Sequence, residues 1–425
     1  MTSEDRGRET FVHVVLPGDT CFTLAGRFRV TRTPVGIPRG EFVYGRSYLE
    51  HPNAVELDPV ELTLGSHVRE TVRLAGFFGA IRDAMPDAWG RRLIERQLGR
   101  SRLEEFDYLR QGEVDRAGAL GFGGTRAFPA SSPVLPEVTD LSVLADAVAA
   151  VLAGEPHPQA EAAQDLVRPG TSLGGARPKA TVRDGDDLWI AKFRRYDDRW
   201  DEPRIEHGLL RLAARCGLSV AESRIETFGS QAALLVRRLD RARAGSGFHR
   251  QRFVSALTLL RADEGATARD RWSYLLLADE IRRASVNPRA DLRELFGRMC
   301  FNAATRNTDD HPRNHALIGD RGGWRLSPAY DLTPTPTISR EPPFLAMECG
   351  FSGRIASRAN LLSGARRFLL TPSDAEAVLD SVFMKVRASW RDTMRESGVS
   401  VADTKGMSSA FVHPWLPVAA RSAAT

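Results

Sequence analysis

The sequence FNAATRNTDDHPRNHALI (residues 301–318), followed by LSPAYDLTPT (residues 326–335), decides the fold of this chain. Together the two stretches place Asp309, Asn314 and Asp331 in loop-like sequence that is flanked by apolar runs. A carboxylate can accept a proton from a hydroxyl group, and amide and carboxylate oxygens are ligands that Mg²⁺ prefers. The pattern therefore indicates a site that combines a base with a magnesium ion.

The spacing of these polar residues is the one that protein kinases use. In kinases an Asp receives the proton of the substrate hydroxyl, and an Asn five positions later and a second Asp beyond a turn and a strand hold the metal ions. In this chain the residue five positions after Asp309 is Asn314. Counting five from Asp310 reaches His315 instead. The spacing therefore predicts Asp309 as the base, with Asn314 and Asp331 as the ligands of Mg²⁺.

Three simpler interpretations of the same stretch remain open. The tetrapeptide NTDD can be an ordinary turn, because Asn, Thr and Asp bond to their own backbone. His311 and His315 are four residues apart, so on a helix they could share a face and bind a metal ion with a neighbouring Asp. Pro312 argues against a regular helix at this point. The third possibility is a solvated loop without chemistry.

A second motif lies upstream. TSLGGA (residues 171–176) is a loop of small residues, and KATV (residues 179–182) and LWIAKF (residues 188–193) form a hairpin behind it. Glycine amides can cradle phosphates without obstruction, and a lysine on the following strand can neutralise a triphosphate, as in kinases. Taken alone, the motif favours a surface hairpin with solvated lysines, and it gains weight only when it is joined to the Asp309, Asn314 and Asp331 pattern. The candidate nucleotide-binding residues are Ser172, Gly174, Gly175, Ala176, Lys179 and Lys192.

Lysine is rare in this chain, which contains 55 arginines but only four lysines. Two of the four, Lys179 and Lys192, fall in the predicted hairpin. Glu206 follows Lys192 by fourteen residues, on a predicted helix, and could pair with it as a helix glutamate does in kinases. A solvated Glu on the face of that helix is the alternative.

Composition and charge exclude several other classes of protein. The chain has 425 residues, 42% of them hydrophobic, which is enough for two or three domains with real cores. Its 59 basic and 54 acidic residues give a net charge of +5, without the charge block that marks a nucleic-acid tail. Four scattered cysteines without a CxxC pair fit a reduced, cytoplasmic protein. We expect no signal or transit peptide, because MTSEDRGRET (residues 1–10) is polar and mixed in charge. We also expect no membrane span, because the best apolar run, residues 141–153, is broken by Asp146.

Apolar periodicity predicts the order of elements along the chain. Predicted strands lie at residues 11–16, 22–30, 179–182, 188–193, 223–227 and 232–237, and predicted helices at residues 77–98, 141–153 and 205–216. The last long helix is expected to begin with a capping box from Ser373 to Glu376. The expected organisation is an N-terminal domain (residues 1–122), a linker and helix (123–169), a lobe with the glycine-rich loop (170–240), a helical lobe with the catalytic and metal-binding loops (241–405) and a C-terminal tail (406–425).

Several stretches, taken in order, resemble the HipA-type toxin family, the bacterial serine/threonine kinases of type II toxin–antitoxin modules. The resemblance covers most of the chain, and its two most specific blocks are residues 307–314 and 327–334. The other matching blocks are GRF (26–28), YL (48–49), PNA (52–54), Pro59, AMPD (84–87) through Arg91, DRAGAL (115–120), residues 172–179, IAKF (190–193) and LDR (239–241).

The resemblance implies an α+β, bilobal protein-kinase-like fold, with a small mixed β lobe, a large helical lobe and an N-terminal α+β domain packed on them. It implies ATP and Mg²⁺ as cofactors. It also implies an aminoacyl-tRNA synthetase as the protein substrate and a small helix-turn-helix antitoxin as the partner. DNA would then be contacted only through the antitoxin, no membrane would be involved, and the expected location is the cytoplasm.

Carried over by position, the resemblance assigns Asp309 as the catalytic Asp and Lys192 as the lysine that binds the phosphates. It assigns Asn314 and Asp331 as the two magnesium ligands. His311 resembles a loop residue near the phosphates. Ser172 falls where the family can autophosphorylate its phosphate loop, which switches the kinase off.

The chain departs from the family after His249, where Gln251 and Arg252 replace the acidic Glu-Asp pair of many members. This exchange of negative for positive charge near the cleft puts the substrate or partner contacts there in doubt, though not the phosphate chemistry. Two other functions compete with an active kinase. One is an inactive pseudokinase that acts as a DNA-bound co-repressor with its antitoxin, and the other is a metal hydrolase built on the DDHPRNH stretch. The hydrolase leaves Lys192 unexplained, and the residues for phosphoryl transfer are intact.

Overall fold

The computed structural model describes residues 8–112, 115–128, 135–153, 177–245, 247–337 and 339–411. Within these ranges the chain forms four antiparallel sheets and a larger number of helices. None of the helices in the described ranges is both long and apolar enough to cross a membrane. The residues of the predicted glycine-rich loop, Ser172, Gly174, Gly175 and Ala176, lie outside the described residues.

The N-terminal part is built on a five-stranded sheet in the order β4-β3-β2-β1-β5. Its strands are β1 (Glu9–Val15), β2 (Phe22–Arg32), β3 (Pro38–Tyr44), β4 (Arg69–Thr71) and β5 (Leu120–Gly123). Alternate side chains of β2 and β3 turn inward, so Phe28 and Phe42 are fully buried. A Cβ atom on Gly40 would lie 1.8 Å from the carbonyl oxygen of Gly76, so the close packing of this edge requires glycine.

Four short helices belong to the same part: α1 (Arg46–Leu49), α2 (Gly79–Asp83), α3 (Ala88–Leu98) and α4 (Glu105–Gln111). The helix predicted at residues 77–98 is therefore split in two around Pro86, because proline has no N–H group and disfavours helical backbone in the residue before it. Asp87 caps α3 by accepting a hydrogen bond of 2.9 Å from Gly90 N. Most buried apolar side chains of these helices, such as Ile81 and Leu109, belong to the same core as Phe28, whereas Trp89 and Leu93 of α3 pack in a second core.

A four-stranded sheet follows, in the order β6-β7-β9-β8. Its strands are β6 (Lys179–Asp184), β7 (Asp187–Phe193), β8 (Ser223–Phe228) and β9 (Gln231–Arg237). The predicted helix α5 (Leu141–Ala153) is confirmed and covers one face, where Leu144 packs with Trp189 and Leu235. Helix α6 (Glu202–Arg215) connects β7 to β8, and its Glu206 meets Lys192 of β7.

The rest of the chain is mainly helical but contains two further sheets. Its helices are α7 (Ala256–Leu259), α8 (Tyr274–Ala284), α9 (Pro288–Ala304), α10 (Arg358–Ser363), α11 (Pro372–Glu396) and α12 (Val401–Gly406). One sheet is the hairpin of β10 (Arg241–Ala244) and β11 (Gly247–Arg250), and the other is formed by β12 (Arg252–Ser255), β13 (Ala316–Asp320) and β14 (Gly323–Leu326). The sequence did not predict β10 and β11, because these short, arginine-rich strands lack apolar alternation.

The predicted capping box of the last long helix is wrong. Helix α11 begins at Pro372, and its N-cap is Thr371, whose side-chain oxygen accepts a hydrogen bond of 3.1 Å from Asp374 N. Proline suits the first helical position, because its fixed φ is already helical and the N–H group that it lacks has no helical partner there. The helix therefore starts before Ser373.

A buried ion network joins the N-terminal part to the end of β9. Arg238 Nη1 lies 2.7 Å from both carboxylate oxygens of Asp115, and Arg238 Nη2 lies 2.8 Å from Asp240 Oδ2. Arg241 Nη1 and Gly118 N each donate to the same Asp240 oxygen at 2.7 Å. Burial alone would raise the pKa of Asp240, but the two arginines outweigh it and lower that pKa far below its usual range. The blocks DRAGAL and LDR thus meet at one junction.

Arg252 is buried rather than directed at an open cleft, with 3% of its surface exposed. Its guanidinium donates to the Glu56 carbonyl oxygen and to the Asp320 carbonyl oxygen, both at 2.9 Å. It also lies 4.4 Å from the ring centroid of Trp324. The positive charge by which the chain departs from its family therefore belongs to a structural contact, and for Arg252 the expected change of charge at the cleft is wrong.

Candidate active site

The stretch that decides the fold links α9 to β13. Helix α9 ends at Ala304, and a single 3₁₀ turn, Pro312–Asn314, precedes β13. Asp331 follows the hairpin of β13 and β14 and, like Asp309, lies at the carboxyl side of an apolar element. The hairpin folds back, so that the Asp331 carboxylate is close enough to Asp309 to influence its pKa.

A buried hydrogen-bond network holds this loop in place. The Tyr274 hydroxyl donates to Asp310 Oδ2, and His315 Nε2 lies 2.7 Å from the same oxygen. Asn302 Nδ2 donates to the Tyr274 hydroxyl at 3.0 Å, and Asn307 Nδ2 donates to Asn302 Oδ1 at 3.0 Å. Asp310 is therefore an internal anchor. Sequence reasoning missed Tyr274 and Asn302, since they lie on helices α8 and α9 and carry no motif of their own.

Asp309 has the opposite environment from its neighbour, because its side chain is exposed. Its carbonyl oxygen accepts hydrogen bonds from His311 N at 2.8 Å and from Asn314 Nδ2 at 3.4 Å, which fix the loop while leaving the carboxylate open. The surrounding protein still raises the pKa of Asp309 by desolvation, with Asp331 adding to the rise and His311 opposing it. A raised pKa brings a carboxylate closer to the working range of a general base.

Asn314 presents an oxygen to which no described residue donates a hydrogen bond. The residue is 4% exposed, and its Oδ1 atom is buried without a hydrogen-bond partner among the described residues. Leaving a buried acceptor unsatisfied costs about 1–3 kcal/mol, so such an atom in a polar site points to a ligand. A hard amide oxygen suits Mg²⁺, and Asn314 therefore fits the metal role that its spacing predicts.

Asp331 has a strained backbone and a charged neighbour. Its φ angle is +59°, a left-handed conformation that is uncommon for a residue other than glycine and that clusters at functional sites. The preceding Tyr330 donates its hydroxyl to the Arg313 carbonyl oxygen at 2.9 Å, which ties this segment to the Asp309 loop. Burial would raise the pKa of Asp331, but Lys192 and then Lys179 outweigh it and lower it to about 2.

Lys192 bridges two carboxylates from different parts of the fold. Its Nζ atom lies 2.6 Å from Glu206 Oε1 and 2.7 Å from Asp331 Oδ1. Burial alone would lower the pKa of Lys192, but the two carboxylates raise it above its usual range, so the ammonium stays charged. Burial raises the pKa of Glu206 despite Lys192. We call the region bordered by Lys192, Asp309, Asn314 and Asp331 the cleft.

Lys179 and His311, the other predicted nucleotide-binding residues that the structure describes, have different surroundings. Lys179 is buried, and its Nζ atom lies 3.0 Å from Asp87 Oδ2 of the N-terminal part. The His311 ring faces Trp272 edge-on at 6.4 Å, and its Nδ1 atom has no hydrogen-bond partner among the described residues. Lys179 is thus paired with the N-terminal part, whereas the His311 ring has a nitrogen without a hydrogen-bond partner in the described ranges.

The two histidines do not share a helix face. His311 and His315 both have extended backbone and flank the short 3₁₀ turn, and His315 is bonded to Asp310. In the part of the chain that the structure describes, no three His, Cys, Asp or Glu side chains come together as a metal cluster. The proposed Mg²⁺ ligands, Asn314 and Asp331, are a different kind of set, because phosphate oxygens and water complete such a shell.

Comparison with known proteins identifies the family. The model of the HipA-like C-terminal domain matches residues 171–390, which is more than half of the chain. The chain belongs to this family. A relative named "Putative kinase Y4mE" from Sinorhizobium fredii is 27% identical over 331 residues, which cover 73% of this chain and 75% of the relative. A second relative, named "Putative kinase", from Haemophilus influenzae, is 27% identical over 162 residues, or 34% of this chain and 47% of its own.

The structure of HipA from Shewanella oneidensis MR-1, solved in a complex with HipB and its operator DNA, resembles this HipA-like chain along nearly its whole length. The TM-score is 0.66 at 17% identity, and the match covers 95% of each chain. At this identity the likeness concerns the fold. The predicted family and the predicted α+β, kinase-like fold are both confirmed, and the chain is a HipA-like, kinase-like protein.

Proposed function

We propose that this chain is an ATP-dependent serine/threonine protein kinase that acts as the toxin of a toxin–antitoxin module. The observation that carries the proposal is the bridge from Lys192 to Glu206 and Asp331. The same cleft contains the exposed carboxylate of Asp309 and the unpartnered oxygen of Asn314. A lysine held by a helix glutamate, two oxygen ligands and a base are the parts that phosphoryl transfer requires.

In the proposed reaction the hydroxyl oxygen of a serine or threonine attacks the γ-phosphorus of ATP. The bond from that phosphorus to the oxygen bridging the β- and γ-phosphates breaks, ADP leaves, and Asp309 takes the hydroxyl proton. Lys192 binds the phosphates, and Glu206 keeps the lysine side chain in place. Asn314 and Asp331 would hold Mg²⁺, which supplies positive charge to the phosphates when bound.

The remaining predicted residues complete the proposed nucleotide site. The loop residues Ser172, Gly174, Gly175 and Ala176 are proposed to cover the phosphates with their backbone amides. Lys179 is proposed to add positive charge, and His311 to contact the phosphates through its Nδ1 atom, which has no partner among the described residues. We also propose Ser172 as the autophosphorylation site, because a phosphate there would occupy the region of the nucleotide's own negative charge.

As partner we propose a small helix-turn-helix antitoxin, with DNA contacted only through it. Support comes from the HipA of Shewanella oneidensis, which was solved together with HipB and operator DNA. As substrate we propose a translation-related protein of the aminoacyl-tRNA synthetase class, which rests on the family resemblance alone. The proposed location is the cytoplasm.

The test is transfer of labelled γ-phosphate from Mg-ATP to a protein in a cell lysate, with the labelled protein identified by mass spectrometry. Wild type should label a protein, Lys192→Met should not, and Asp270→Asn, which changes an exposed carboxylate on the way to α8, should label as wild type does. Nucleotide binding without any transfer would instead support the inactive pseudokinase that acts as a co-repressor. Tight Zn²⁺ binding and hydrolysis that does not depend on Lys192 would support the hydrolase.

A further inference from the structure

One carboxylate of the N-terminal part, Asp87, contacts the strand that precedes Lys192 in the sheet. Asp87 Oδ1 caps α3, while Asp87 Oδ2 lies 3.0 Å from Lys179 Nζ, 92 residues later in the chain. Both side chains are nearly inaccessible, with 9% of Asp87 and 4% of Lys179 exposed. Trp89 Nε1, on the first turn of α3, also donates to the Lys179 carbonyl oxygen at 3.0 Å. Helix α3 is therefore attached at two points to the first residue of β6.

Lys179 stands directly opposite Lys192 in the register of β6 and β7. Residues opposite each other in an antiparallel pair project from the same face with Cβ atoms about 4.5–5.5 Å apart, and like charges in this arrangement repel. Each of these lysines has its own acidic partners: Lys192 has Glu206 and Asp331, and Lys179 has Asp87. The two ammonium groups can stay side by side because each is compensated from a different direction.

Lys192 connects this pair of lysines to the proposed metal site, because its Nζ atom lies 2.7 Å from Asp331 Oδ1. Lys179 is the direct neighbour of Lys192 across the two strands and projects from the same face of the sheet. Lys179 therefore places a second positive charge beside the lysine that contacts Asp331, and the Asp87 carboxylate pairs with it from the N-terminal part.

We infer that Asp87 is a positioning residue for nucleotide binding, which holds the Lys179 ammonium group beside Lys192 and so makes the N-terminal part a component of the cleft. A buried charge that loses a close partner of opposite sign is strongly disfavoured, so removal of the Asp87 carboxylate should displace the Lys179 ammonium group. The inference deepens the proposed function and rests on it. Asp87 acts through Lys179 and need not touch the nucleotide.

The alternative is that the contact between Asp87 and Lys179 only stabilises the fold. A matched control variant at Glu56 tests this alternative. Glu56 also belongs to the N-terminal part and also pairs with a buried residue of the later chain, since Arg252 Nη1 lies 3.1 Å from Glu56 Oε1. Arg252 belongs to β12 and lies over the ring of Trp324 in β14, and Trp324 Nε1 donates to Glu56 Oε1 at 2.7 Å. Asp87→Asn leaves the cap of α3 in place, because Asn and Asp are equally good N-caps.

The experiment measures the dissociation constant of a Mg-bound, non-hydrolysable ATP analogue by calorimetry, together with thermal unfolding, for each full-length variant. Asp87→Asn and Lys179→Met should each weaken binding about tenfold, because Lys179→Met removes a positive charge near the phosphates and Asp87→Asn lets that charge move away from them. The double variant should bind no more weakly than Lys179→Met alone, because the two residues act as a unit. Glu56→Gln should lower the unfolding temperature but leave the dissociation constant within about twofold. The KM for ATP of Asp87→Asn should rise more than its kcat falls.

Two results would contradict the inference about Asp87 without contradicting the proposed kinase function. One is an Asp87→Asn protein that is less stable but binds the analogue as wild type does, and the other is a double variant whose loss is the product of the two single losses. If Asp87→Asn cannot be purified, Lys179→Gln decides the question, and unchanged affinity in that variant would count against the inference. Failure of the proposed function is a separate outcome: Lys192→Met would then bind the analogue as tightly as wild type, or wild type would not bind it at all.

Discussion

Asp309 and Asp310 are neighbours in sequence with opposite environments, so the same substitution should have opposite consequences at the two positions. Asp309 is exposed at the cleft, whereas the Asp310 side chain is 1% exposed and is bonded to Tyr274 and His315. We predict that Asp309→Asn abolishes most phosphoryl transfer while the protein stays folded. Asp310→Asn should instead destabilise the protein.

The two magnitudes follow from these contacts. A surface substitution usually changes the free energy of unfolding by no more than about 0.5 kcal/mol, and a general base contributes about 10²- to 10⁴-fold to a rate. Asp309→Asn should therefore lose about that factor in transfer with nucleotide affinity kept. Asp310→Asn keeps one acceptor oxygen but removes the negative charge that the Tyr274 hydroxyl and His315 both contact. A hydrogen bond to a charged group contributes about 1.5–3 kcal/mol and a neutral one about 0.5–1.5 kcal/mol, so the loss of stability should be about 2 kcal/mol or more.

The assay compares urea unfolding, analogue binding by calorimetry and transfer of labelled phosphate at saturating Mg-ATP for both variants, with the exposed Asp270→Asn as the control. Transfer by Asp310→Asn must be corrected for the fraction of folded protein. If Asp310→Asn kept its stability and lost transfer as completely as Asp309→Asn, the base would be assigned to the wrong residue. Equal destabilisation by both variants would contradict the environments described above.

Three further changes test other parts of the structure. Asp331→Ala should abolish the strengthening of nucleotide binding by Mg²⁺, measured by calorimetry with and without the ion, and a persistent Mg²⁺ effect would remove Asp331 from the metal site. Asp240→Asn should lower the free energy of unfolding by about 3–5 kcal/mol, because Arg238 and Arg241 lose a buried partner. Since these arginines lower the pKa of Asp240, its stabilisation is complete above about pH 4 and is lost as the pH falls further. Denaturation at pH 7 and pH 3 should show a smaller acid loss in the variant than in wild type, and equal losses would contradict this. Ser172→Asp should weaken nucleotide binding, and the absence of phosphate at Ser172 after long incubation with Mg-ATP, by mass spectrometry, would count against the proposed switch.

The sequence by itself determined the features that depend on neighbours along the chain. The five-residue step from Asp309 to Asn314 lies within one loop, so its chemistry can be read without knowing the fold. Apolar periodicity predicted α5 and the strands of the four-stranded sheet, because one buried face requires a regular repeat. The same reasoning missed β10, because this strand is short and rich in arginine. It also missed the Thr371 cap, because α11 begins at Pro372, before the predicted capping box.

Only the tertiary structure decided which of these residues meet. Lys192 and Asp331 are 139 residues apart, and Asp87 and Lys179 are 92 apart, and no local pattern carries such a pairing. Likewise, Asp309 and Asp310 have the same local chemistry, and it is the packing of α8, which brings Tyr274 against the loop, that turns one carboxylate inward and leaves the other exposed. The physical reason is that the accessibility and the pKa of an ionisable side chain depend on burial and on nearby charges. Both come from parts of the chain that only folding brings together.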